Sequence, residues 1–268
     1  NGCLSSLQAL NMLEGFEPVS DRTATHWHRL AEVMKLVWRD RLRYLGDPDF
    51  VDVPVERLLS KDYAAGRVES LRQFPDRVDR STYLHAPEAL PETLHVSAAD
   101  AEGNLVSATI THGGGFGSCV TVPGLGLILA HGMCRLDPRP GRPNSIGPRR
   151  RPLNNTAPMI IRLPDRDVAT GLPGGRRIVC VGTQLAQRVV DFGASAAEAA
   201  AAPRLHVQDK EPVVLLDTIE PSLVEALVAM GHEVRTERGV GGPAHCAEFL
   251  RGSGTVRAGG NTWAAGVA

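Results

Sequence analysis

The feature that most constrains this chain is its change of character at residue 92. Residues 73–91 are Pro-rich, charged and aperiodic, the composition of an exposed connector. From Thr93 onward apolar and polar side chains alternate through Thr93-Leu94-His95-Val96-Ser97-Ala98-Ala99, and again over residues 105–110, with Glu102-Gly103-Asn104 between the runs. Two alternating runs across a Gly-Asn turn spell a β-hairpin, and a threonine stands at the first position of its first strand. Taken alone, that threonine needs no chemistry, because Thr is simply a good strand former.

Around the hairpin the periodicity divides the chain. Residues 4–14 carry Leu7, Leu10, Met12 and Leu13 at helical spacing. A second helix, capped by Ser20 or Asp21, places Trp27, Leu30, Met34, Val37 and Trp38 on one apolar stripe, with His28, Arg29, Lys35 and Arg39 outside it. Gly46 and Pro48 end that helix. Short helices are expected over residues 55–59 and 62–71. Beyond the hairpin, strands are expected over residues 119–122 and 124–130, then a long Pro-, Gly- and Arg-rich loop over residues 135–151. A strand pair follows over residues 159–163 and 168–170. Gly174-Gly175 opens directly into a helix over residues 176–192. The remainder alternates: helix 198–202, strand 213–216, helix 222–230, a strand from Val234, and short strands over residues 247–250 and 255–258. Helices first, then strands, then a mixture of both predict an α+β fold, a layered sheet sandwich covered by helices.

Bulk properties exclude several classes of function. The 268 residues are 43% hydrophobic and 22% charged, enough to bury a sizeable core. Lys plus Arg is 29 against 30 for Asp plus Glu, a net charge of -1, so no global field draws nucleic acid or an anionic membrane. Arginines do gather locally over residues 135–151 and at Arg176 and Arg177, which suits either an anionic substrate or a solvated surface. Five cysteines, odd in number and without a Cys-x-x-Cys pair, argue against a disulfide framework and a zinc site. The nine histidines form no His-x-x-x-His pair, so neither metal nor cofactor is expected. No apolar run reaches membrane-spanning length and no leader opens the sequence. On that ground the cytoplasm is favoured over the periplasm or secretion, although a first residue of Asn1 rather than Met leaves room for a missing upstream segment.

Two successive glycines at the mouth of a helix are a specific physical device. Their N–H groups can approach a ligand oxygen unhindered, and the helix dipole favours negative charge there. Gly174 and Gly175 are therefore candidates for an oxyanion hole, although Pro-Gly-Gly is also an ordinary turn.

The order of motifs is more specific than any one of them. Thr93-Leu94-His95-Val96-Ser97 with Asp100 comes first, followed by Thr111 ahead of Phe116-Gly117-Ser118, and by Gly126-Leu127-Ile128-Leu129. Gly147-Pro148, Arg151-Pro152-Leu153, Pro158, Pro173-Gly174-Gly175 and Ala202-Pro203-Arg204-Leu205-His206 follow, with Tyr44-Leu45-Gly46-Asp47-Pro48-Asp49-Phe50-Val51 upstream. This collinear set resembles the γ-glutamyltranspeptidase family over nearly the whole chain, starting partway through that family's large subunit. The resemblance implies an N-terminal-nucleophile hydrolase with a four-layer αββα sandwich, made as a precursor that cuts itself between Glu92 and Thr93. Residues 1–92 would be the end of the large-subunit region and residues 93–268 the small-subunit region, the two fragments staying associated. Thr93 would be the nucleophile, Thr111 its hydrogen-bonding partner, and Gly174 and Gly175 the oxyanion hole. The partner implied is a small-molecule amide or amino-acid-derived substrate.

The departures from the family are concentrated in substrate recognition. Leu94 replaces a threonine. Thr111-His112-Gly113 replaces Thr-Ile-Asn, so Gly113 stands where an asparagine belongs. In Ala130-His131-Gly132-Met133-Cys134-Arg135, Arg135 takes the position of the aspartate that grips the α-ammonium of a γ-glutamyl group. A cation there reverses the electrostatic preference, and Arg135 with the nearby His112 and His131 would suit a carboxylate. Asn154 and Asn155 replace the paired serines that bind the α-carboxylate and retain donors. These changes predict an amide hydrolase or acyltransferase that does not use glutathione as its main substrate. The alternatives are an inactive pseudoenzyme or binding protein that keeps the fold, and a conventional γ-glutamyltransferase.

Overall fold

The computed structural model describes residues 2–73, 78 and 92–261; the connector proposed over residues 73–91 therefore lies almost wholly outside the described residues. Four helices come first: α1 (Gly2–Leu13), α2 (Ala24–Tyr44), α3 (Val55–Leu59) and α4 (Lys61–Gln73). The hairpin β1 (Glu92–Ala99) and β2 (Leu105–Gly113) follows, then β3 (Thr121–Val122), β4 (Leu127–Ile128), β5 (Met159–Arg162) and β6 (Arg166–Gly171). Next come α5 (Arg177–Val190), α6 (Ala196–Ala201), β7 (Leu205–His206), β8 (Val213–Leu216), α7 (Pro221–Ala229), β9 (Val234–Glu237), β10 (His245–Leu250) and β11 (Thr255–Gly260).

The hairpin forms where alternation and turn chemistry agree. Asp100 accepts the N–H groups of Glu102 and Asn104 at 3.1 and 2.8 Å, and Gly103 supplies the positive φ of 83° that the turn requires. Its polar face turns inward and its apolar face outward. His95 is 4% exposed, whereas Leu94 is 72% and Ile110 64% exposed. The inward hydroxyls are used for docking: Ser97 donates to the His245 carbonyl at 3.0 Å and Ser107 to the Thr170 carbonyl at 2.9 Å. They hold the hairpin over a second sheet of order β11-β10-β6-β5, whose antiparallel β5–β6 pair turns at Pro164-Asp165 as the sequence predicts. The far face of that sheet carries α5 and α6, packed through Val168, Ile178, Val181, Leu185, Ala199 and Cys246. The described residues thus contribute a helical layer and two stacked sheet layers to the α+β sandwich.

A second core lies between α1, α2 and the sheet β7-β8-β9, in which β8 and β9 run parallel with α7 as their crossover. Trp27, Met34, Val37 and Trp38 meet Leu205, Val213 and Leu215 there. Two details of α2 differ from expectation. Its cap is Thr23, whose Oγ1 accepts the His26 N–H at 3.3 Å, while Ser20 shapes the preceding turn by accepting the Thr23 hydroxyl at its carbonyl. The face opposite the apolar stripe is also buried, because His28, Lys35 and Arg39 find partners on the loop after β7 and on His232. Lys35 binds Glu32 at 2.6 Å and Glu211 at 2.5 Å, and Arg39 donates to the Asp209 carbonyl at 3.1 Å. Residues 119–130 form only the two-residue strands β3 and β4, since Cys119, Gly124 and Gly126 all have positive φ and interrupt regular extension. Strand β7 was not foreseen, being too short to show a period.

The helical region and the strand-rich region are bound together at their junction with the long arginine loop. Asp47, just after α2, accepts three hydrogen bonds from Arg151, one from its backbone N–H at 2.7 Å and two from its guanidinium at 3.0 and 2.6 Å. Those bonds hold the Asp47 carboxyl down at about 2. Among the described residues no helix is long and apolar enough to cross a membrane.

Candidate active site

Thr93 and Thr111 face each other across the hairpin, and the Thr93 hydroxyl donates to Thr111 Oγ1 at 3.1 Å. Strand register is regular from Thr93 to Ala99 but breaks between Glu92 and Thr93, where Glu92 pairs with Gly113 instead of the next residue in line. The bond the sequence marks for cleavage is therefore the one at which the ladder is irregular. Thr111 Oγ1 also accepts the Gly113 N–H at 3.0 Å, and the Arg135 guanidinium lies 3.5 Å from it.

Below Thr93 the strand is fixed by His95. Ser97 spends its proton on the His245 carbonyl, so Ser97 Oγ accepts from His95 Nε2 at 3.0 Å. His95 Nδ1 then accepts from the Thr109 hydroxyl at 2.8 Å, which assigns the neutral Nε2–H tautomer. Burial, with the neighbouring His245, holds this imidazole down to about 4. The ring lies on Gly171, where any Cβ would approach it to 2.2 Å. Because β6 passes beneath the hairpin at Thr170 and Gly171, its continuation Leu172-Pro173-Gly174-Gly175 runs on toward the Thr93–Thr111 end.

Gly174 and Gly175 have φ of 139° and 60° just ahead of α5, and neither N–H has an acceptor among the described residues. At Gly174 a side chain would meet Gly242 N at 3.0 Å; the Gly241-Gly242 turn is pinned there by a Gly242 N–H bond to the Pro173 carbonyl at 2.8 Å. Two free N–H groups at a helix start, held from behind by backbone, form a preorganised seat for an anionic oxygen.

The region around Arg135, Asn154 and Asn155 is built on a residue the sequence reading missed. Arg41, in the last turn of α2 and 1% exposed, donates to the Asn154 carbonyl at 2.7 Å, to Asn155 Oδ1 at 2.8 Å and to Ser5 Oγ at 3.2 Å. Burial and then the charges of Arg176 and Arg135 hold its guanidinium down to about 9, leaving it cationic at neutral pH. Arg176 follows the glycine pair directly in the chain, and Arg135 lies beside Thr111. Arg135 leaves a single turn of 3-10 helix (Gly132–Arg135) and donates to Asn154 Oδ1 at 3.1 Å. It has no carboxylate partner among the described residues. Both asparagine Oδ1 atoms are thus occupied by guanidinium groups, and both Nδ2 groups remain without an acceptor among the described residues. Thr111, Gly113, Arg135, Asn154 and Asn155 are brought together as the sequence suggests. His112 and His131 are exposed beside them and are joined only through their backbones, at 2.6 Å. In a helix that also carries Arg29, Lys35, Arg39 and Arg43, no sequence signal distinguishes Arg41; the Gly239-Val240-Gly241-Gly242 run was visible but had no assigned role.

Among the described residues, the one group close enough to share a metal ion is His28, Glu32 and His232, far along α2 from Arg41. Its ligand atoms are already engaged: His28 Nδ1 lies 2.9 Å from His232 Nε2, His232 Nδ1 lies 3.0 Å from Glu211, and the Lys35 ammonium is bound to Glu32. A buried cation is therefore present at the cluster in Lys35, and the group acts as an internal hydrogen-bonded network.

Sheet stacked on sheet with helices outside, and a hydroxyl near the start of the strand that follows the helical region, match the class of N-terminal-nucleophile hydrolases. Within that class the chain belongs to the γ-glutamyltranspeptidase family, whose sequence pattern matches residues 1–268. It is 38% identical over 239 residues to the Acylase ACY 1 proenzyme of Pseudomonas sp. (strain SE83), covering 88% of this chain and 42% of that protein. It is 32% identical over 258 residues to the glutathione hydrolase proenzyme of Escherichia coli (strain K12), covering 90% of this chain and 44% of that protein. Among solved structures, cephalosporin acylase from Bacillus halodurans superposes with a TM-score of 0.79 at 26% identity, over 97% of this chain and 48% of that one. The chain thus spans less than half the length of the curated relatives it matches.

Proposed function

We propose that this chain carries the catalytic machinery of an amide hydrolase or acyltransferase that matures by cutting itself between Glu92 and Thr93. The observation that supports this most directly is the Thr93–Thr111 hydroxyl pair at 3.1 Å, set beside the register break at Glu92. In maturation Thr93 Oγ adds to the Glu92 carbonyl carbon, the C–N bond breaks, and the hydroxyl proton passes to the departing amine. Water then hydrolyses the resulting ester, restoring the Thr93 hydroxyl and leaving Glu92 as a carboxylate. The freed α-amine, with a reference pKa of about 8, serves as base for the adjacent hydroxyl. The processed regions, residues 1–92 and 93–268, stay joined through Arg41 with Asn154 and Asn155, Asp47 with Arg151, and Lys35 with Glu211.

In turnover Thr93 attacks the substrate amide, the Gly174 and Gly175 N–H groups receive the oxyanion, and water or an amine releases the acyl group. The acyl donor differs from glutathione. A γ-glutamyl group presents an ammonium, and here that ammonium would meet Arg135 with no acid against it among the described residues. Removing the ammonium while keeping the acyl length gives a glutaryl group, whose carboxylate suits Arg135 and the two asparagine Nδ2 donors.

Intact-mass analysis of the purified protein tests the maturation step: two fragments divided before Thr93 are expected, with Thr93→Ala remaining one chain. A cut wild-type chain that turns over γ-glutamyl-p-nitroanilide faster than glutaryl-p-nitroanilide would refute the substrate reading while leaving the nucleophile in place. An uncut wild-type chain would refute both and favour a pseudoenzyme.

A further inference from the structure

Helix α5 begins at the glycine pair and ends near a second cavity. Arg188 lies eleven residues along it from Arg177, about 16 Å at 1.5 Å per residue. There a cavity of about 600 Å³ opens between α2, α5 and α7, with walls made of Trp27, Pro203, Ile219, Leu223 and Ala226 and with Arg188 lining it.

Arg188 is 5% exposed, yet its polar groups are poorly supplied. Nη2 donates to the Pro203 carbonyl at 2.6 Å, but Nε and Nη1 have no hydrogen-bond partner among the described residues. Among the described residues the nearest carboxylate oxygen, on Asp21, stands 3.9 Å from Nε, beyond hydrogen-bond reach. Burial holds this guanidinium down to about 10, so it keeps its charge at neutral pH. A desolvated cation with two unspent donors is a costly arrangement for the protein alone. Helix α7 presents its start to the same cavity. It is nine residues long, carries Pro221 in its first turn and has no side-chain cap, and the Ser222 N–H has no acceptor among the described residues. Arg22 stands at the rim. The opposing acids are Asp21 and Glu220, so a multiply charged anion is disfavoured where a monoanion is not.

We propose that this cavity binds a small organic acid, a single carboxylate on an apolar body, with the carboxylate between Arg188 and the start of α7 and the body against Trp27, Leu223 and Ala226. The site is separate from the Thr93 pocket and does not depend on the reaction proposed there. A concave apolar pocket with a few convergent donors is the usual form of such a site.

The test is a titration of the full protein with 4-phenylbutyrate, read by calorimetry, with uncharged 4-phenylbutyramide as control. Saturable binding of the acid is expected, with the amide weaker by about tenfold or more, as for loss of a hydrogen bond to a charged group. Arg188→Met should reduce affinity for the acid to that for the amide. Ser222→Glu adds a carboxylate at an exposed position of a helix start, where it favours the helix, and should abolish acid binding while the protein stays folded. If Arg188→Met does not fold, Ser222→Glu decides. Equal affinity for acid and amide, binding unchanged by Ser222→Glu, or no saturation up to about 10 mM would overturn the proposal.

Discussion

Replacing Gly171 by Ala tests how the Thr93 strand is held, because the atoms nearest the added methyl all belong to the His95 ring. Its Cβ would lie 2.2 Å from His95 Cε1 and 2.7 Å from both ring nitrogens. The ring has no room to retreat freely: Nδ1 is bonded to Thr109, Nε2 to Ser97, and Ser97 to the His245 carbonyl. If the ring moves, two hydrogen bonds are lost at about 1 kcal/mol each. If β6 withdraws instead, the overpacking costs about 1–3 kcal/mol. Either route gives a loss of about 1–3 kcal/mol in a urea-unfolding measurement, best made on the uncut Thr93→Ala chain so that processing does not complicate the transition. In wild-type Thr93 the same change should slow appearance of the two fragments, since Thr93 lies two residues from the displaced ring. A double-mutant cycle isolates the contact: in a His95→Ala background the Gly171→Ala cost should fall below about 1 kcal/mol. A full cost persisting without the His95 ring, or a single variant within about 0.5 kcal/mol of wild type, would refute the reasoning.

Three further outcomes follow from the same geometry. Thr111→Val keeps the volume but removes the oxygen that accepts the Thr93 hydroxyl hydrogen bond, and should slow self-cleavage about 100-fold in a mass-spectrometric time course; an unchanged rate would remove Thr111 from the mechanism. Arg135→Asp restores an acid where the family binds an ammonium, and should shift preference from glutaryl-p-nitroanilide toward γ-glutamyl-p-nitroanilide by at least about tenfold in relative kcat/KM. Stability should fall on mild acidification, because burial, assisted by Arg188, His245 and the pair Arg177 and Arg176 respectively, holds His26 and His95 down to about 4 and His206 to about 3. The unfolded imidazoles take protons near pH 6.5, so stability is full above that value and declines as pH falls toward 4, the unfolded chain binding protons that the native one refuses. A urea midpoint constant from pH 7 to 4.5 would contradict this, and His95→Gln should flatten the decline.

The parts of the fold legible in the sequence are those written in local patterns. The hairpin was readable because alternation and the Gly103 turn act within twenty residues, and α5 because Ile178, Val181, Leu185 and Val189 repeat at helical spacing toward one core. What was hidden is what depends on distant partners. Lys35 reads as a solvent-facing lysine, yet it is buried because Glu211, remote in sequence, supplies its counter-charge. Thr23 displaced Ser20 as the α2 cap because both are good caps and only backbone geometry chooses between them. The same division runs through the site. Thr93, Thr111 and the glycine pair sit in motifs, whereas Arg41 reaches Asn154 and Asn155 across more than a hundred residues and belongs to no local pattern.

Arg41 also changes what the substitution at Arg135 means. An isolated aspartate-to-arginine exchange would leave an unpaired cation beside a pocket otherwise suited to an amino acid. Here Arg135 shares Asn154 with Arg41, the former on the side-chain oxygen and the latter on the backbone oxygen. Both guanidinium groups turn the asparagine amides the same way, with oxygens spent and Nδ2 donors left over. The pocket is therefore donor-rich as a unit, and reversing it should require more than one change. Arg135→Asp alone would place a carboxylate where the Arg41 charge still acts on it, so the glutaryl preference should weaken before a γ-glutamyl preference becomes strong. The chemistry proposed at Thr93 asks nothing of these arginines beyond position, and for that reason the nucleophile pair and the recognition residues can diverge independently.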